Sequence, residues 1–448
     1  MKEKVKVPEL QVGIFSAKEI VFTLNGPFTE KNRGDRITGR WRAELSEGEI
    51  VLINDKKKHE CKAPVLIFPD DAANSSFTLH AVTIGIDFHW QRNEDQVFRG
   101  SIKIIVEKDN ITAVNVVSVE DYLTSVISSE MKATSSEEFL KAHAVTSRSW
   151  LLAQIEKSNK IKSEGKKYNA FTKTENEIVR WYDREDHQNY DVCADDHCQR
   201  YQGITRASTP AVVKVINDTY GEVLTCEGSI CDTRYYKCCG GMTELFENTW
   251  EPVNHPYLQG VIDNPIPPAG YKTDLSEEEI VEKWILGNPD AFCNTSDRKV
   301  LSQVLNDYDQ ETNDFFRWKV VYSQKELSEL VRVRTGTDFG LITGLIPLER
   351  GSSGRITRLK IEGTLKTMII GKELEIRKSL SKSHLYSSCF FVEKLEYPDE
   401  TIFILHGAGW GHGVGLCQIG AAMMGASGYS YHEILRHYFR EAIFEKLY

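Results

Sequence analysis

The sequence has 448 residues, of which 27% are charged and 41% hydrophobic, and its formal net charge is -10. A chain of this length can form two or three domains with buried cores. The acidic balance argues against a dedicated nucleic-acid-binding protein, because such proteins usually carry a basic surface. An uncharged or polar ligand is therefore expected, and nucleic acid is not.

Two observations bear on membranes and export. No apolar run approaches the roughly 20 residues that span a bilayer, so no transmembrane segment is predicted. The first residues, MKEKVKVPELQVGIF, lack the continuous apolar core of a signal peptide. Half of the ten cysteines lie between Cys198 and Cys239, which indicates local chemistry rather than a disulfide framework along the whole chain.

Residues 1–95 contain short runs rich in Val, Ile and Phe, such as EIVFTL, GEIVLI and APVLIF, separated by polar turns. This pattern predicts a small all-β domain. Nothing in it indicates catalysis, so we expect docking or spacing as its role.

The next segment predicts two strands and then a helix that starts at Ser118. The apolar stripe of this helix consists of Leu123, Val126 and Ile127. Glu130 takes the following position on the stripe, seven residues after Leu123. Burial favours the protonated form of a carboxyl group, which suits a general acid. The alternative is that the helix frays and Glu130 is solvated.

A second helix is predicted to follow directly in the chain, with Ser135 and Glu138 as a capping box. Lys141 and Arg148 are seven residues apart and share a face of this helix. They could hold an oxyanion or pair with Glu130, although such side chains are most often exposed to solvent.

A highly charged insertion then leads to the sequence HQNYDVCADDHC, whose histidines and cysteines are His187, Cys193, His197 and Cys198. Two imidazoles and two thiols form a complete tetrahedral ligand set for structural zinc. The spacing is not that of a zinc finger, so free thiols or a disulfide remain alternatives.

A small-residue bend, CCGG, follows the predicted strand TRYYK. Gly240 and Gly241 open the backbone there to close approach of another group. Cys238 and Cys239 have no base beside them in sequence, so we interpret them as small residues at a bend rather than as nucleophiles.

The most unusual stretch is HGAGWGHGVGLCQIG, where every second residue from Gly407 to Gly415 is glycine. In an extended chain one face of this stretch would carry no side chains, which suits close approach of a ligand or another segment. The glycines give no GxGxxG pattern and no Lys-Ser or Lys-Thr follows them, so nucleotide binding is excluded.

The predicted fold class is α+β, with a mixed, β-rich core and a catalytic helix pair, preceded by a small all-β domain and interrupted by a helical insertion. The expected boundaries are residues 1–95 for the N-terminal β domain, 96–264 for the first part of the catalytic domain with the metal-candidate loop, 265–345 for the helical insertion, and 346–448 for the second part with the glycine-rich segment.

Five blocks, in this order, resemble the stage II sporulation protein D family, which includes amidase enhancers of the cell wall. They are DYLTSVISSEM, EEFLKAHAVTSRSW, YYKCCGGMT, SGRITRLKIEG and GWGHGVGLCQIGAAMM. The resemblance covers about residues 96 to 445. This chain differs from the family pattern at Lys132, Cys417 and Ile419.

The resemblance implies a lytic transglycosylase of the cell envelope. It would cleave the bond between N-acetylmuramic acid and N-acetylglucosamine in peptidoglycan stripped of stem peptides, and it would leave 1,6-anhydro ends. Glu130 matches the catalytic glutamate, acting as acid and then base, and the chemistry requires no cofactor. The alternative is a glycan-binding protein that enhances a cell-wall amidase without cutting. A third class, a cysteine or zinc hydrolase, rests on the cysteine cluster alone.

We expect a set of residues to contact peptidoglycan strands, and among them Lys141, Arg148 and His412 with its flanking glycines match positions of the family. The candidates are Lys141, Arg148, Gly240, Gly241, Gly411, His412, Gly413 and Gln418. The His and Cys loop resembles a metal-bearing loop seen in part of the family.

Overall fold

The structure is a computed structural model that describes residues 6–84, 91–132, 135–165, 168–182, 187–195, 198–205, 209–304 and 315–448. Its strands are β1 (Glu9–Ala17), β2 (Glu19–Glu30), β3 (Arg36–Ser46), β4 (Glu49–Ile53), β5 (Lys58–Cys61), β6 (Val65–Pro69), β7 (Ser76–Ile84), β8 (Arg92–Phe98), β9 (Ser101–Glu107), β10 (Asn110–Ser118), β11 (Phe171–Lys173), β12 (Glu177–Arg180), β13 (Val192–Cys193), β14 (Glu222–Cys226), β15 (Ser229–Ile230), β16 (Tyr235–Tyr236), β17 (Arg317–Ser323), β18 (Ile342–Arg350), β19 (Ile356–Gly363), β20 (Thr367–Gly371), β21 (Phe390–Glu396), β22 (Thr401–Ala408), β23 (Leu416–Cys417) and β24 (Ile443–Lys446). Its helices are α1 (Val119–Glu130), α2 (Glu137–Glu164), α3 (Pro210–Asp218), α4 (Glu278–Leu286), α5 (Arg298–Val304), α6 (Gln324–Thr335), α7 (Glu373–Ser379), α8 (Gln418–Ala426) and α9 (Tyr431–Tyr438).

Helices and several sheets occur together, so the predicted α+β class is confirmed. The chain divides into two compact units. The first unit consists of Met1–Ala133, Asp186–Glu222 and Lys446–Tyr448, and the second of Thr134–Glu185 and Val223–Glu445. Among the described helices, none combines the length and the apolar character needed to cross a bilayer.

The first unit is built on one sheet of 11 strands. Its main path runs β13-β1-β10-β9-β6-β2-β3-β4-β5, and β7 pairs with β2 and β8. Strand β10 is antiparallel to β1, with Glu9 opposite Ser118. The expected boundary at residue 95 therefore falls inside this sheet, because β9 and β10 complete the pairing of the N-terminal strands.

Helix α1 leaves β10 directly and starts at the predicted residue. The Ser118 hydroxyl accepts a hydrogen bond from the Asp121 N–H at 3.1 Å, which satisfies one open donor of the first turn. The C-terminal residues also hold this helix. The Tyr448 hydroxyl donates to Oε1 of Glu120 at 2.6 Å, and the Gly221 N–H donates to the same oxygen at 3.3 Å.

The second unit contains a sheet in the order β11-β12-β20-β19-β18 and another in the order β17-β22-β21. Strand β17 lies in the stretch 265–345, which the sequence predicts as helical, alongside α4, α5 and α6. It pairs with β22 from Arg317 opposite Ala408 to Ser323 opposite Ile402. The insertion therefore supplies a strand beside the chain that leads into the glycine-rich stretch.

Helix α2 runs through the interior of the second unit. Its cap is Ser136, whose hydroxyl accepts from the Phe139 N–H at 3.3 Å, so the predicted cap at Ser135 is wrong by one residue. Nearly all side chains from Phe139 to Gln154 are buried. Because α8 and α9 both pack on α2, its surroundings hold apolar partners on more than one side.

Candidate functional site

Glu130 is the last residue of α1 and is half-buried. The helix does not fray before it, since the Met131 N–H donates to the Ile127 carbonyl at 3.0 Å and the Met131 side chain is buried. The main-chain N–H of Arg200 donates to Oε1 of Glu130 at 3.2 Å. The carboxyl group therefore lies at a defined helix end, with one oxygen held by the main chain.

A cavity of about 370 Å³ lies along the first half of the same helix. Its lining includes Glu120, Asp121 and Tyr201. A helix rises about 1.5 Å per residue, so the Cα atoms of Glu120 and Glu130 are separated by about 15 Å along the axis. Glu130 is not among the described residues that line this cavity.

The two basic candidates on α2 have different surroundings. Nζ of Lys141 lies 2.7 Å from Oε1 of Glu137 and 3.7 Å from Oε1 of Glu138. The Arg148 side chain is fully buried. Both belong to the second unit, whereas Glu130 belongs to the first.

The CCGG bend, residues 238–241, pairs with the glycine segment, residues 407–415. The Cys238 N–H donates to the Trp410 carbonyl at 3.0 Å, and the Trp410 N–H donates to the Cys238 carbonyl at 2.8 Å. Further along, the Glu244 N–H donates to the Gly413 carbonyl at 2.7 Å. Two motifs that are far apart in the sequence thus form one backbone-paired structure.

The glycine segment is not the extended strand that its alternation predicts. Strand β22 ends at Ala408, and Gly409, Gly411, Gly413 and Gly415 have φ angles of 78°, 103°, 88° and 83°. Side chains rarely tolerate this left-handed backbone, which explains glycine at each of these positions. The segment is curled. Its glycines are required by the left-handed backbone and do not form one face without side chains.

The space beside these glycines is filled by the protein itself. A Cβ atom at Gly411 would lie 2.9 Å from Cβ of Tyr236, and one at Gly413 would lie 2.5 Å from Cζ of Arg355. In the bend, a Cβ at Gly240 would lie 2.7 Å from the Gly409 nitrogen, and one at Gly241 the same distance from the Trp284 ring. The glycines therefore permit internal packing.

Arg355 connects the paired segments. Its guanidinium is fully buried and donates to the Gly411 carbonyl at 3.2 Å, the Cys239 carbonyl at 3.5 Å and Oγ of Ser353 at 3.1 Å. The Ser353 hydroxyl in turn donates to Oε2 of Glu244 at 2.6 Å. One buried cation thus joins the bend, the glycine segment and a carboxylate.

His412 is half-buried and is bonded to its own surroundings. Its Nε2 lies 3.0 Å from the Tyr235 carbonyl, and its Nδ1 accepts from the Val414 N–H at 3.1 Å. Burial, followed by the charge of Arg234, lowers the pKa of His412 well below its ordinary value. The neutral ring therefore carries its proton on Nε2 and props the curled segment. Solvent reaches the segment at Trp410 to His412.

Gln418 is buried at the start of α8, and its Nε2 lies 3.3 Å from Nε2 of His143 on α2. Nδ1 of His143 lies 3.2 Å from Oγ of Ser147. Burial, followed by the charge of Lys237, lowers the pKa of His143 to about 3. The neutral imidazole accepts from the Gln418 amide, so this amide serves packing between α2 and α8.

The first metal-candidate cluster is the His and Cys loop, residues 187–198. Ligand atoms of His187, Cys193 and Cys198 lie within 4.8 Å of one another, and Sγ of Cys198 is 3.5 Å from Nε2 of His187. Strand β13 holds the loop by parallel pairing with β1. The fourth predicted ligand, His197, lies outside the described residues.

A second cluster lies in the second unit and was not predicted from the sequence. Cys239, Asp263, Cys293 and Cys417 are buried, and their ligand atoms lie within 4.8 Å of one another. From the sequence alone, Cys239 is expected to be a small residue at a bend, and Cys417 is a departure from a family pattern. No local spacing of cysteines predicts the cluster, because its members come from four distant segments.

Comparison with protein families gives two matches. Residues 107–226 match the family described as Stage II sporulation protein, and residues 244–415 match a domain of unknown function, DUF8618. Residues 107–226 therefore carry a segment similar to the Stage II sporulation protein family, and the predicted resemblance is confirmed over this segment. This segment carries Glu130, Lys141, Arg148 and the His and Cys loop.

Two relatives are similar to this chain at low identity. An uncharacterized protein of Brachyspira hyodysenteriae is 25% identical over 343 residues, which cover 76% of this chain and 70% of that protein. The amidase enhancer of Bacillus subtilis is 24% identical over 241 residues, which cover 50% of this chain and 31% of that protein. The chain thus spans less than a third of the amidase enhancer's length.

The glycine segment allows a direct test of its packing. We expect Gly413→Ala to destabilise the second unit more than Gly428→Ala. Both glycines have nearly equal φ angles, 88° and 89°, but only the Cβ at position 413 would meet other atoms. The left-handed backbone costs alanine about 1–2 kcal/mol in each variant, and the clash with Arg355 adds about 1–3 kcal/mol. Urea unfolding measures the free energy of unfolding of both variants. Equal decreases in the two variants would contradict the packing role of Gly413.

His143 predicts a pH dependence of stability. An unfolded histidine has a pKa of about 6.5, and the folded value of about 3 is lower. The unfolded chain therefore binds more protons between these values, and the stability due to neutral His143 is lost as pH falls through this window. In His143→Gln, the slope of unfolding free energy against pH should fall by up to about 1.4 kcal/mol per pH unit. Unfolding curves between pH 6.5 and 4 measure it, and an unchanged slope would show that His143 does not contribute.

Proposed function

We propose that this protein is a lytic transglycosylase of the bacterial cell envelope. Its substrate would be peptidoglycan glycan strands stripped of stem peptides, cut between N-acetylmuramic acid and N-acetylglucosamine. The observation that carries this proposal is Glu130, at the end of α1, inside the segment that matches the Stage II sporulation protein family. The similarity to a protein named amidase enhancer also supports a cell-wall-related role.

The proposed chemistry uses one carboxyl group in two steps. Protonated Glu130 donates its proton to the glycosidic oxygen, and that carbon–oxygen bond breaks as positive charge develops on the muramic acid ring. The resulting carboxylate then accepts the proton of the sugar's own 6-hydroxyl, whose oxygen bonds to the anomeric carbon. A 1,6-anhydro ring forms and Glu130 regains its proton. No water attacks, so a second catalytic carboxylate is not required.

The surroundings of Glu130 suit this role. A general acid must be held within hydrogen-bonding reach of the group that it protonates. The Arg200 N–H fixes one oxygen of Glu130, and the end of α1 fixes its main chain. Partial burial keeps the carboxyl group from being fully hydrated while leaving it accessible.

The candidate glycan-contacting residues of the second unit fall into two groups, half-buried and buried. Lys141, Gly411 and His412 are half-buried, and of these Lys141 would contact sugar oxygens directly. Both ring nitrogens of His412, and the N–H and carbonyl of Gly411, bond within the protein, so these two residues would contact sugar by packing alone. The other candidates are buried and would act by shaping the surface. These are Arg148, Gly240, Gly241, Gly413 and Gln418.

The first test of the proposal is Glu130→Gln. The amide cannot deliver the proton, so release of 1,6-anhydro products from stem-peptide-stripped glycan should fall by roughly 10²–10⁴-fold. Mass spectrometry of the products measures the rate, and circular dichroism checks the fold. Asp121→Asn is the matched control, because it makes the same chemical change in the first turn of α1 and should retain activity.

The alternative is a glycan-binding protein that enhances a cell-wall amidase, and the similarity to the amidase enhancer of Bacillus subtilis favours it. Under this alternative the purified protein releases no anhydro ends. Wild type and Glu130→Gln would then stimulate an added amidase equally, with cleavage at amide bonds alone. That result would defeat the transglycosylase proposal.

We further propose that the His and Cys loop binds a structural zinc ion through His187, Cys193, His197 and Cys198. The three described ligands bring one imidazole and two thiols together, which is a donor set that zinc prefers. The ion would order the loop that leads to Arg200, whose N–H holds Glu130. It would supply no step of the chemistry.

Removal of this zinc tests its structural role. A chelator, or the substitution Cys198→Ser, should lower the melting temperature, and activity should be lost in parallel with folding. Cys61→Ser is the control, since Cys61 is a buried cysteine of the same unit outside the loop. Loss of activity at an unchanged melting temperature would instead indicate a catalytic metal.

A further inference from the structure

The second donor cluster has the geometry of a metal site. Sγ of Cys239 lies 3.3 Å from Sγ of Cys293, and the ligand atoms of Asp263 and Cys417 fall within the same 4.8 Å. None of the four side chains is more than 3% exposed. Donors about 2.3 Å from a tetrahedral ion lie about 3.8 Å from one another. Small adjustments would therefore close these side chains around an ion.

Neighbouring groups orient the carboxylate of Asp263. Its Oδ2 accepts from the Cys293 N–H at 2.8 Å, and its Oδ1 accepts from the Tyr438 hydroxyl at 2.6 Å. Gly420 leaves room for this arrangement, because a Cβ there would lie 2.5 Å from Oδ1 of Asp263. Such outer hydrogen bonds fix ligands in metal sites.

The sulfur atoms are placed to carry negative charge. Sγ of Cys417 accepts from the Cys239 N–H at 3.2 Å, and Sγ of Cys239 accepts from the Gly241 N–H at 3.3 Å. Cys417 is also the N-terminal cap of α8, where the helix favours an anion.

Nearby basic side chains direct their donors elsewhere. The guanidinium of Arg317 donates to main-chain carbonyls, among them those of Ile285 and Trp284. Arg355 donates to carbonyls and a hydroxyl, as described above. Nε2 of His437 lies 4.0 Å from Oδ1 of Asp263, beyond hydrogen-bonding distance.

We propose that Cys239, Asp263, Cys293 and Cys417 bind a Zn²⁺ ion. Three cysteine sulfurs and one carboxylate in a buried set of four donors favour zinc over the harder magnesium and calcium ions. The rival is a disulfide between Cys239 and Cys293. Such a disulfide would use only two of the four donors. The ion would fasten the CCGG bend to the start of α8.

The test measures zinc per full-length chain by mass spectrometry in a Cys198→Ser background, which removes a ligand of the other loop. One zinc per chain is expected to remain. Adding Cys293→Ser or Asp263→Asn should remove most of it. Adding Cys389→Ser should not, because Cys389 is an equally buried cysteine of the same unit outside the cluster.

A second measurement does not depend on the folding of these variants. X-ray absorption of zinc in the Cys198→Ser protein should show three sulfur neighbours at about 2.3 Å and one lighter neighbour. Folded Cys198→Ser protein without zinc, after purification in zinc-containing buffer, would overturn the proposal. A Cys239–Cys293 disulfide found by peptide mapping of native protein would overturn it equally.

Discussion

A buried guanidinium constrains the second unit, because a charge without acceptors inside a protein is destabilising by several kcal/mol. Arg355 finds its acceptors in the Gly411 and Cys239 carbonyls, which lie close together only when the CCGG bend and the glycine segment are paired. That pairing needs left-handed backbone, and the absence of a side chain at Gly413 leaves space for the guanidinium. Charge, pairing and glycine therefore depend on one another, so the arrangement is cooperative rather than a sum of separate contacts.

Local sequence patterns predicted much of the fold. The start of α1 at Ser118 follows from capping chemistry, and the apolar stripe that ends at Glu130 follows from the helical period. Runs of Val and Ile indicated most strands of the first sheet. Local patterns could not show that β10 belongs to this sheet and that residue 95 lies inside it. Strand β10 joins the sheet by pairing with β1, about a hundred residues earlier in the chain.

The second unit shows what sequence patterns leave open. Alternating glycines are compatible with an extended strand or with a curled segment, and Arg355, from elsewhere in the chain, occupies the space that the glycines leave. Lys141 kept the partly exposed position expected of a lysine, whereas Arg148 is buried. The thiols of Cys239, Cys293 and Cys417 meet only after folding, so spacing rules for metal ligands do not apply to them.

The attachment of Tyr448 to Glu120 has a consequence for biosynthesis. The first unit includes residues 1–133, yet it also includes residues 446–448, which leave the ribosome after the residues of the second unit have been made. At roughly 5–20 residues per second, translation of the intervening chain takes on the order of tens of seconds. During that interval α1 lacks one of its hydrogen-bond partners, and the nascent first unit is in the state in which a chaperone or a protease would encounter it.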